Sequence, residues 1–256
     1  MHPVLFHIGD FAVHSYGVLI ALGTVLAVAL GSRWSVAEGF SKDTFTDLGF
    51  WSIVAAVIGA RLEYLRTNWH EFANADLVQM INVRDGGLVF YGGLIGTLVA
   101  FAVILVRRKL PPLKMLDILA PLVPFGIIFG RMGCLMAGCC YGKPLDAAWA
   151  ITFEHELSVA PRGIPLHPTQ LYEVAYGLAM FGGLFWMRSR KKFDGQLILT
   201  LLTIYPLLRS ANELFRGDPG RGWAIDGVLS NAQAISIGVA IVAAIGWVVL
   251  LKRQKS

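Results

Sequence analysis

The sequence predicts an all-α polytopic membrane protein, a bundle of seven transmembrane helices with short outer segments. Three observations carry this. Hydrophobic residues make up 55% of the 256 positions and charged residues only 15%, where a soluble domain carries about 25% charged. The charges are also segregated. No Asp, Glu, Lys or Arg occurs from Phe11 to Ser32, from Gly86 to Val106 or from Gly227 to Leu251, and crossing a hydrocarbon core takes roughly 20 residues. Four shorter apolar runs, Leu48–Leu65, Met115–Leu135, His167–Met187 and Gln196–Asn212, hold a few charges near one end.

Taken in order, the expected helices are 11–32, 46–65, 86–106, 115–135, 167–187, 196–212 and 227–251, in a single transmembrane domain over 1–256. The first run lacks a basic leading region and its apolar part is too long for a cleaved signal, so it is expected to stay as a helix. Basic residues follow alternate runs: Arg33 and Lys42; Arg107, Arg108, Lys109 and Lys114; Arg188, Arg190, Lys191 and Lys192; Lys252, Arg253 and Lys255. If the helices alternate, all four groups share one side, which the positive-inside rule makes cytoplasmic, with the N-terminus outside. The net charge of +5 is thereby explained without a nucleic-acid partner.

The outer segments are too small for a catalytic domain. Met1–Asp10 reads as an interfacial lead-in to the first helix. Thr67–Asp85 is polar, with Trp69 and Phe72 as interfacial anchors. Lys143–Pro165 includes Ala148–Glu154, a short strand or hairpin. Arg216–Asp226 is a loop containing Gly and Pro. Any chemistry is expected among the helices, near the outer face.

Charged residues intrude on the apolar runs at that end: Arg61 and Glu63, Arg131, Glu173, then Arg209, Glu213 and Arg216. Asp117, at an inner end, is the exception. Clustering at one depth points to a shared polar cavity, because intramembrane charge is costly and normally functional. The plainer reading is a buried ion-pair network, for example Arg209 with Glu173. Arginine suits phosphate, since its planar donors match the oxygens bidentately, and in a membrane the obvious phosphate is a lipid headgroup. Tyr16, Tyr91 and Tyr205 are either site residues or interfacial anchors. Tyr205 shares a helical face with Arg209, and Gln170 shares one with Glu173. Gly92, Gly93 and Gly96 allow close approach of a helix or a lipid chain. His167-Pro168 marks a helix entry, with His167 as a structural or capping residue. Three roles stay open for Cys134, Cys139 and Cys140: packing in a tight Gly-rich turn, a disulfide, or reactive or metal-binding thiols. Further His or carboxylate ligands at suitable spacing are not evident, so no metal and no cofactor are expected.

The residues also carry a resemblance. His2-Pro3-Val4-Leu5-Phe6-His7-Ile8-Gly9, Ser15-Tyr16-Gly17, Gly59-Ala60-Arg61, Gly92-Gly93-Leu94-Ile95-Gly96, Phe129-Gly130-Arg131-Met132-Gly133 and His167-Pro168-Thr169-Gln170-Leu171-Tyr172-Glu173 follow one another in a familiar order. Tyr205, Arg209, Glu213, Phe215-Arg216, Asp218, Gln233 and Ser236 complete it. The chain resembles the prolipoprotein diacylglyceryl transferases of bacterial inner membranes. The resemblance implies transfer of the diacylglyceryl group of phosphatidylglycerol to the lipobox cysteine of a preprolipoprotein signal peptide. A thioether forms and glycerol phosphate leaves, at the outer leaflet of the inner (plasma) membrane. The implied catalytic set is Arg131, Arg209, Tyr91 and Glu173. The implied substrate-binding set is Arg131, Tyr16, Tyr205, Gly92, Gly93, Gly142, Gln170 and Arg61. Membrane lipids are the other expected partners.

Three positions depart from the family pattern: Tyr91 replaces a usual His, Cys134 a usual Asn and Cys139 a usual Glu. A tyrosine, with an ordinary pKa of about 10, is no ready base at neutral pH. The expectation is therefore a site working mainly by electrostatic stabilisation of the leaving phosphate, with Tyr91 orienting lipid. Two alternatives accompany it: a sibling headgroup transferase with another acceptor, and a non-catalytic phospholipid-binding or transport protein.

Overall fold

The computed structural model describes all residues except 10, 74, 84, 85, 219–221, 226, 227 and 256. The ends of the expected outer segments at Asp10, Asp85 and Asp226 therefore lie outside the described residues. The chain is mainly helical, and its residues group into two compact units, 1–27 with 116–256, and 28–115.

A hairpin opens the chain. β1 (Val4–Ile8) and β2 (Phe11–His14) pair antiparallel, where the sequence alone leads to no more than an interfacial lead-in. Ser15 Oγ donates to the His2 and Pro3 carbonyls at 2.6 and 3.0 Å and ties the hairpin to α1 (Ser15–Ala37).

In the 28–115 unit, α2 (Lys42–Thr67) starts at Ser41, whose Oγ accepts from Thr44 N–H at 3.2 Å, an N-cap satisfying one orphan donor. Two short helices follow, α3 (Trp69–Phe72) and α4 (Leu77–Ile81), before α5 (Phe90–Arg107). α2 and α5 pack with their backbones nearly touching. A Cβ on Gly59 would stand 2.3 Å from the Gly92 carbonyl oxygen, and one on Gly92 would stand 2.2 Å from that of Gly59. Small residues are what permit such an approach between apolar helices.

The span expected over 115–135 lies within one apolar stretch, Pro112–Ala137. It is broken into α6 (Pro112–Leu119) and α7 (Leu122–Ala137) at Pro121, which lacks the N–H that would continue the ladder. A short two-stranded sheet follows. β3 (Ile151–Thr152) pairs antiparallel with β4 (Pro165–Leu166), over a small core of Leu135, Phe153, Ala160 and Leu166. α8 (Thr169–Arg188) packs on α7, and α9 (Gln196–Glu213) packs on α8, around Met180, Leu184, Leu197 and Leu201. Asp117 of α6 caps α9. Its carboxylate, 1% exposed, accepts from Gly195 and Leu197 N–H at 2.9 Å and from Ile198 N–H at 3.1 Å. A buried anion at a helix N-terminus is stabilised by orphan amides and the dipole. β5 (Trp223–Ile225) and β6 (Leu229–Ser230) pair before α10 (Asn231–Lys255). Ser230 and Gln233 form a reciprocal capping box there, each side chain accepting from the other's N–H at 3.2 and 3.0 Å.

Among the described residues, five stretches are long and apolar enough to cross a membrane: Ser15–Ala37, Lys42–Thr67, Phe90–Arg107, Pro112–Ala137 and Asn231–Lys252. The chain is thus a multi-pass membrane protein. α8 and α9 occupy the other two expected spans but are not in that set. Their hydropathy is lowered by Gln170, Glu173, Asn212 and Glu213, all buried.

Candidate functional site

Glu173 stands at the centre of the polar set in the larger unit. It lies one turn into α8 and its side chain is 1% exposed. Arg131, from α7, meets it through Nε at 2.8 Å to Oε2. Tyr205, from α9, donates its hydroxyl to Oε1 at 2.8 Å. Asn212 Nδ2 approaches Oε2 at 3.5 Å and donates to the Thr169 carbonyl at 3.1 Å. Three helices therefore converge on one carboxylate. One turn beyond Tyr205, Arg209 Nη1 meets Glu213 Oε2 at 2.6 Å. The ion pairs here are Arg131–Glu173 and Arg209–Glu213, where the plainer sequence reading offers Arg209 with Glu173 as its example. The reason is local: residues four apart on a helix are neighbours, so Glu213 is the nearer partner for Arg209.

Both arginines are partly neutralised, and both keep donor capacity. Guanidinium has five N–H groups in a fixed fork, more than one carboxylate can take up. Arg131 Nη1 points toward Cys134 Sγ at 4.0 Å. Three buried polar atoms, Gln170 Oε1, Tyr176 OH and Asn212 Oδ1, have no hydrogen-bond partner among the described residues. Gln170, Glu173 and Tyr176 follow at spacing three, so these three side chains share one face of α8.

The turn after α7 is locked from α8. Gly138 closes the helix in the left-handed region, φ 71°. Gln170 Nε2 donates to the Cys139 carbonyl and Thr169 Oγ1 to the Cys140 carbonyl, both at 2.7 Å. Cys140 has φ 59°, uncommon for a residue with a Cβ. Gly142 pairs with Arg216 in an antiparallel bridge and donates to the His167 carbonyl at 3.1 Å. A Cβ there would stand 2.3 Å from that of His167, so only glycine fits. Arg216 Nε donates to Asp218 Oδ1 at 2.6 Å. His167 does not cap α8. Its Nδ1 lies 3.1 Å from Tyr172 OH, and Pro168 occupies the N-cap.

Tyr16 packs on Gly133, where a Cβ would come within 2.9 Å of its ring. It lines an open groove of about 600 Å³ with Pro3, His14, Cys139, Leu157 and Val159. The sulfurs of Cys134, Cys139 and Cys140 all lie within 4.8 Å of one another, and all three cysteines are free.

The other expected residues belong to the 28–115 unit. Gly92 is buried at the α2–α5 contact and the neighbouring Gly93 continues it, with a Cβ there 3.2 Å from the Ala56 carbonyl oxygen. Tyr91 is exposed, its ring edge-on to Phe90. Arg61 donates to the Met80, Gln79, Gly87 and Gly86 carbonyls at 2.7, 2.9, 3.2 and 3.3 Å, closing the C-terminus of α4, where a cation is favoured. Glu63 pairs with Arg66 at 2.7 Å on the exposed face of α2. Sequence reasoning missed Asn212, Thr169 and Tyr176. Asn212 stands three residues after Arg209, the only signal that would have flagged it.

A family model described as prolipoprotein diacylglyceryl transferase matches residues 3–249. The chain is 33% identical over 256 residues to the phosphatidylglycerol–prolipoprotein diacylglyceryl transferase of Finegoldia magna, covering 100% of this chain and 97% of that one. It is 32% identical over 242 residues to the enzyme of that name from Clostridium tetani, covering 94% and 95%. For that of Chromohalobacter salexigens the identity is 34% over 254 residues, covering 98% and 93%. With both the model and the relatives matched nearly end to end, the chain belongs to the prolipoprotein diacylglyceryl transferase family.

Proposed function

We propose that this chain transfers the diacylglyceryl group of phosphatidylglycerol to the lipobox cysteine thiol of prolipoprotein signal peptides, forming a thioether and releasing glycerol phosphate. Family membership supports the reaction. The observation that supports the site is the Arg131–Glu173–Tyr205 junction of three helices, with Arg209–Glu213 one turn away. Arg131 and Arg209 bind the lipid phosphate with the donors their carboxylates leave over. As the ester bond breaks, charge grows on the departing phosphate oxygen, and donors already fixed in place stabilise it. Glu173 and Tyr205 hold Arg131 in its orientation. Tyr16, Gln170 and Gly142 line the lipid and acceptor path, and Tyr91 orients lipid by hydrogen bonding, with Arg61, Gly92 and Gly93 shaping its surroundings. We place the site at the outer leaflet of the inner membrane, in one seven-span domain with the N-terminus outside.

The test is transfer of labelled diacylglycerol from phosphatidylglycerol to a lipobox peptide by purified protein. Arg131→Ala and Arg209→Ala abolish transfer, while Tyr91→Phe only weakens it. Wild-type rates from both arginine variants would overturn the phosphate-binding role.

A further inference from the structure

We propose that Cys134, Cys139 and Cys140 form a three-thiolate zinc site whose fourth position is open to the acceptor thiol. The inference rests on the transferase reading for its chemistry but on separate residues for its geometry. The three sulfurs lie within 4.8 Å of one another. Tetrahedral zinc with thiolate bonds of about 2.3 Å sets its ligand sulfurs about 3.8 Å apart. Each sulfur thus needs to move inward by at most about 0.6 Å.

The backbone holds this arrangement. Cys139 N–H donates to the Cys134 carbonyl at 3.0 Å. Gln170 and Thr169, each 1% exposed, fix the Cys139 and Cys140 carbonyls from α8. Cys140 adopts left-handed φ, a conformation that costs free energy for a residue with a Cβ and persists only where its surroundings impose it. Three small apolar packing residues would not require convergent sulfurs or that conformation. A disulfide would use two of the sulfurs and leave the third without a role.

The site's open side and charge fit the reaction. Cys139 lines the groove that Tyr16 also lines, so the cluster is reachable by an incoming peptide. Catalytic zinc commonly keeps three protein ligands and one exchangeable position. Zinc with three thiolates carries one net negative charge, and Arg131 Nη1 stands 4.0 Å from Cys134 Sγ to offset it. A thiol that coordinates zinc is deprotonated. The lipobox thiol entering the fourth position becomes the nucleophile with no separate general base. Its sulfur forms the bond to the glyceryl carbon, and the carbon–oxygen bond to phosphate breaks. The electron pair leaves on glycerol phosphate, and the proton released on coordination passes to that phosphate or to water.

The experiment is a cobalt titration of the full-length protein, purified in detergent and kept reduced. One equivalent of Co²⁺ is expected to give a thiolate-to-cobalt charge-transfer band that Zn²⁺ removes. A lipobox peptide shifts the visible cobalt bands, while the same peptide with Ser for Cys does not. The triple variant Cys134→Ser, Cys139→Ser, Cys140→Ser loses the band, and Cys139→Ser alone weakens zinc binding by roughly tenfold or more, as one of three thiolates is gone. No band in the reduced wild-type protein, or equal zinc affinity in the triple variant, overturns the site. Equal responses to both peptides overturn the open fourth position. A chelator-treated, zinc-free protein transferring at the full rate overturns the role in the reaction. Zinc bound and the cysteine peptide sensed, but no transfer to it, leaves the site standing and overturns the transferase reading instead.

Discussion

Glu173 and Tyr205 separate charge from orientation. The carboxylate is buried, pairs with Arg131 and accepts from Tyr205. Breaking a buried ion pair by removing one partner costs about 3–5 kcal/mol, because the survivor is left uncompensated. Losing one hydrogen bond to a charged group costs about 1.5–3 kcal/mol. Glu173→Gln is therefore expected to lower kcat by about 100-fold, the scale of an ångström's misplacement of a catalytic group, and to lower Tm. Tyr205→Phe is expected to give a smaller kcat loss and a smaller fall in Tm. Turnover and thermal melts of the two variants check this ranking; equal losses would deny the carboxylate its central role. That Glu173 would need a buried partner was legible from a lone acid in an apolar run. Its partner was not, because sequence spacing reports neighbours within a helix and not which of two arginines on other helices arrives first.

Helix existence was readable because a charge-free run of membrane length fits little besides a spanning helix. What interrupts or caps the helices depended on contacts between distant segments. Asp117 shows this. In the sequence it is an anomalous acid near an inner helix end; in the fold its carboxylate caps α9, accepting three backbone N–H groups. Replacing an N-capping acid by Ala costs about 0.5–2 kcal/mol. Asp117→Ala is expected to fall near the upper end, since the amides it leaves are buried, and to lower Tm while leaving KM for lipid unchanged. A raised KM with unaltered Tm would contradict the capping role. The hairpin β1–β2 was not legible, since its apolar residues merge with the charge-free run that follows. The cysteine turn was only half legible: Gly138 and Gly142 signal a turn, but the convergence of three sulfurs depends on Gln170 and Thr169 reaching across from α8.

At the scale of the whole molecule, one loop decides whether α8 and α9 cross the membrane. Among the described residues five stretches meet the requirement of length and hydropathy; α8 and α9 fall short because they carry buried polar residues. Function and span detection therefore pull in opposite directions on these helices, since a charge facing the bundle interior is compatible with spanning yet lowers hydropathy just as a lipid-facing one does. The connection between them carries Arg188, Arg190, Lys191 and Lys192, and four basic residues in a short loop favour the cytoplasmic side. With seven spans the 188–195 loop is inside; with five it remains outside with 143–165. The C-terminus is inside either way, so only this loop discriminates. Alkaline phosphatase, active only when exported, is expected to be inactive when fused after Lys109 or Lys191 and active when fused after Glu156. An active fusion at Lys191 would reduce the bundle to five spans and move α8, with Glu173 on it, out of the hydrocarbon core.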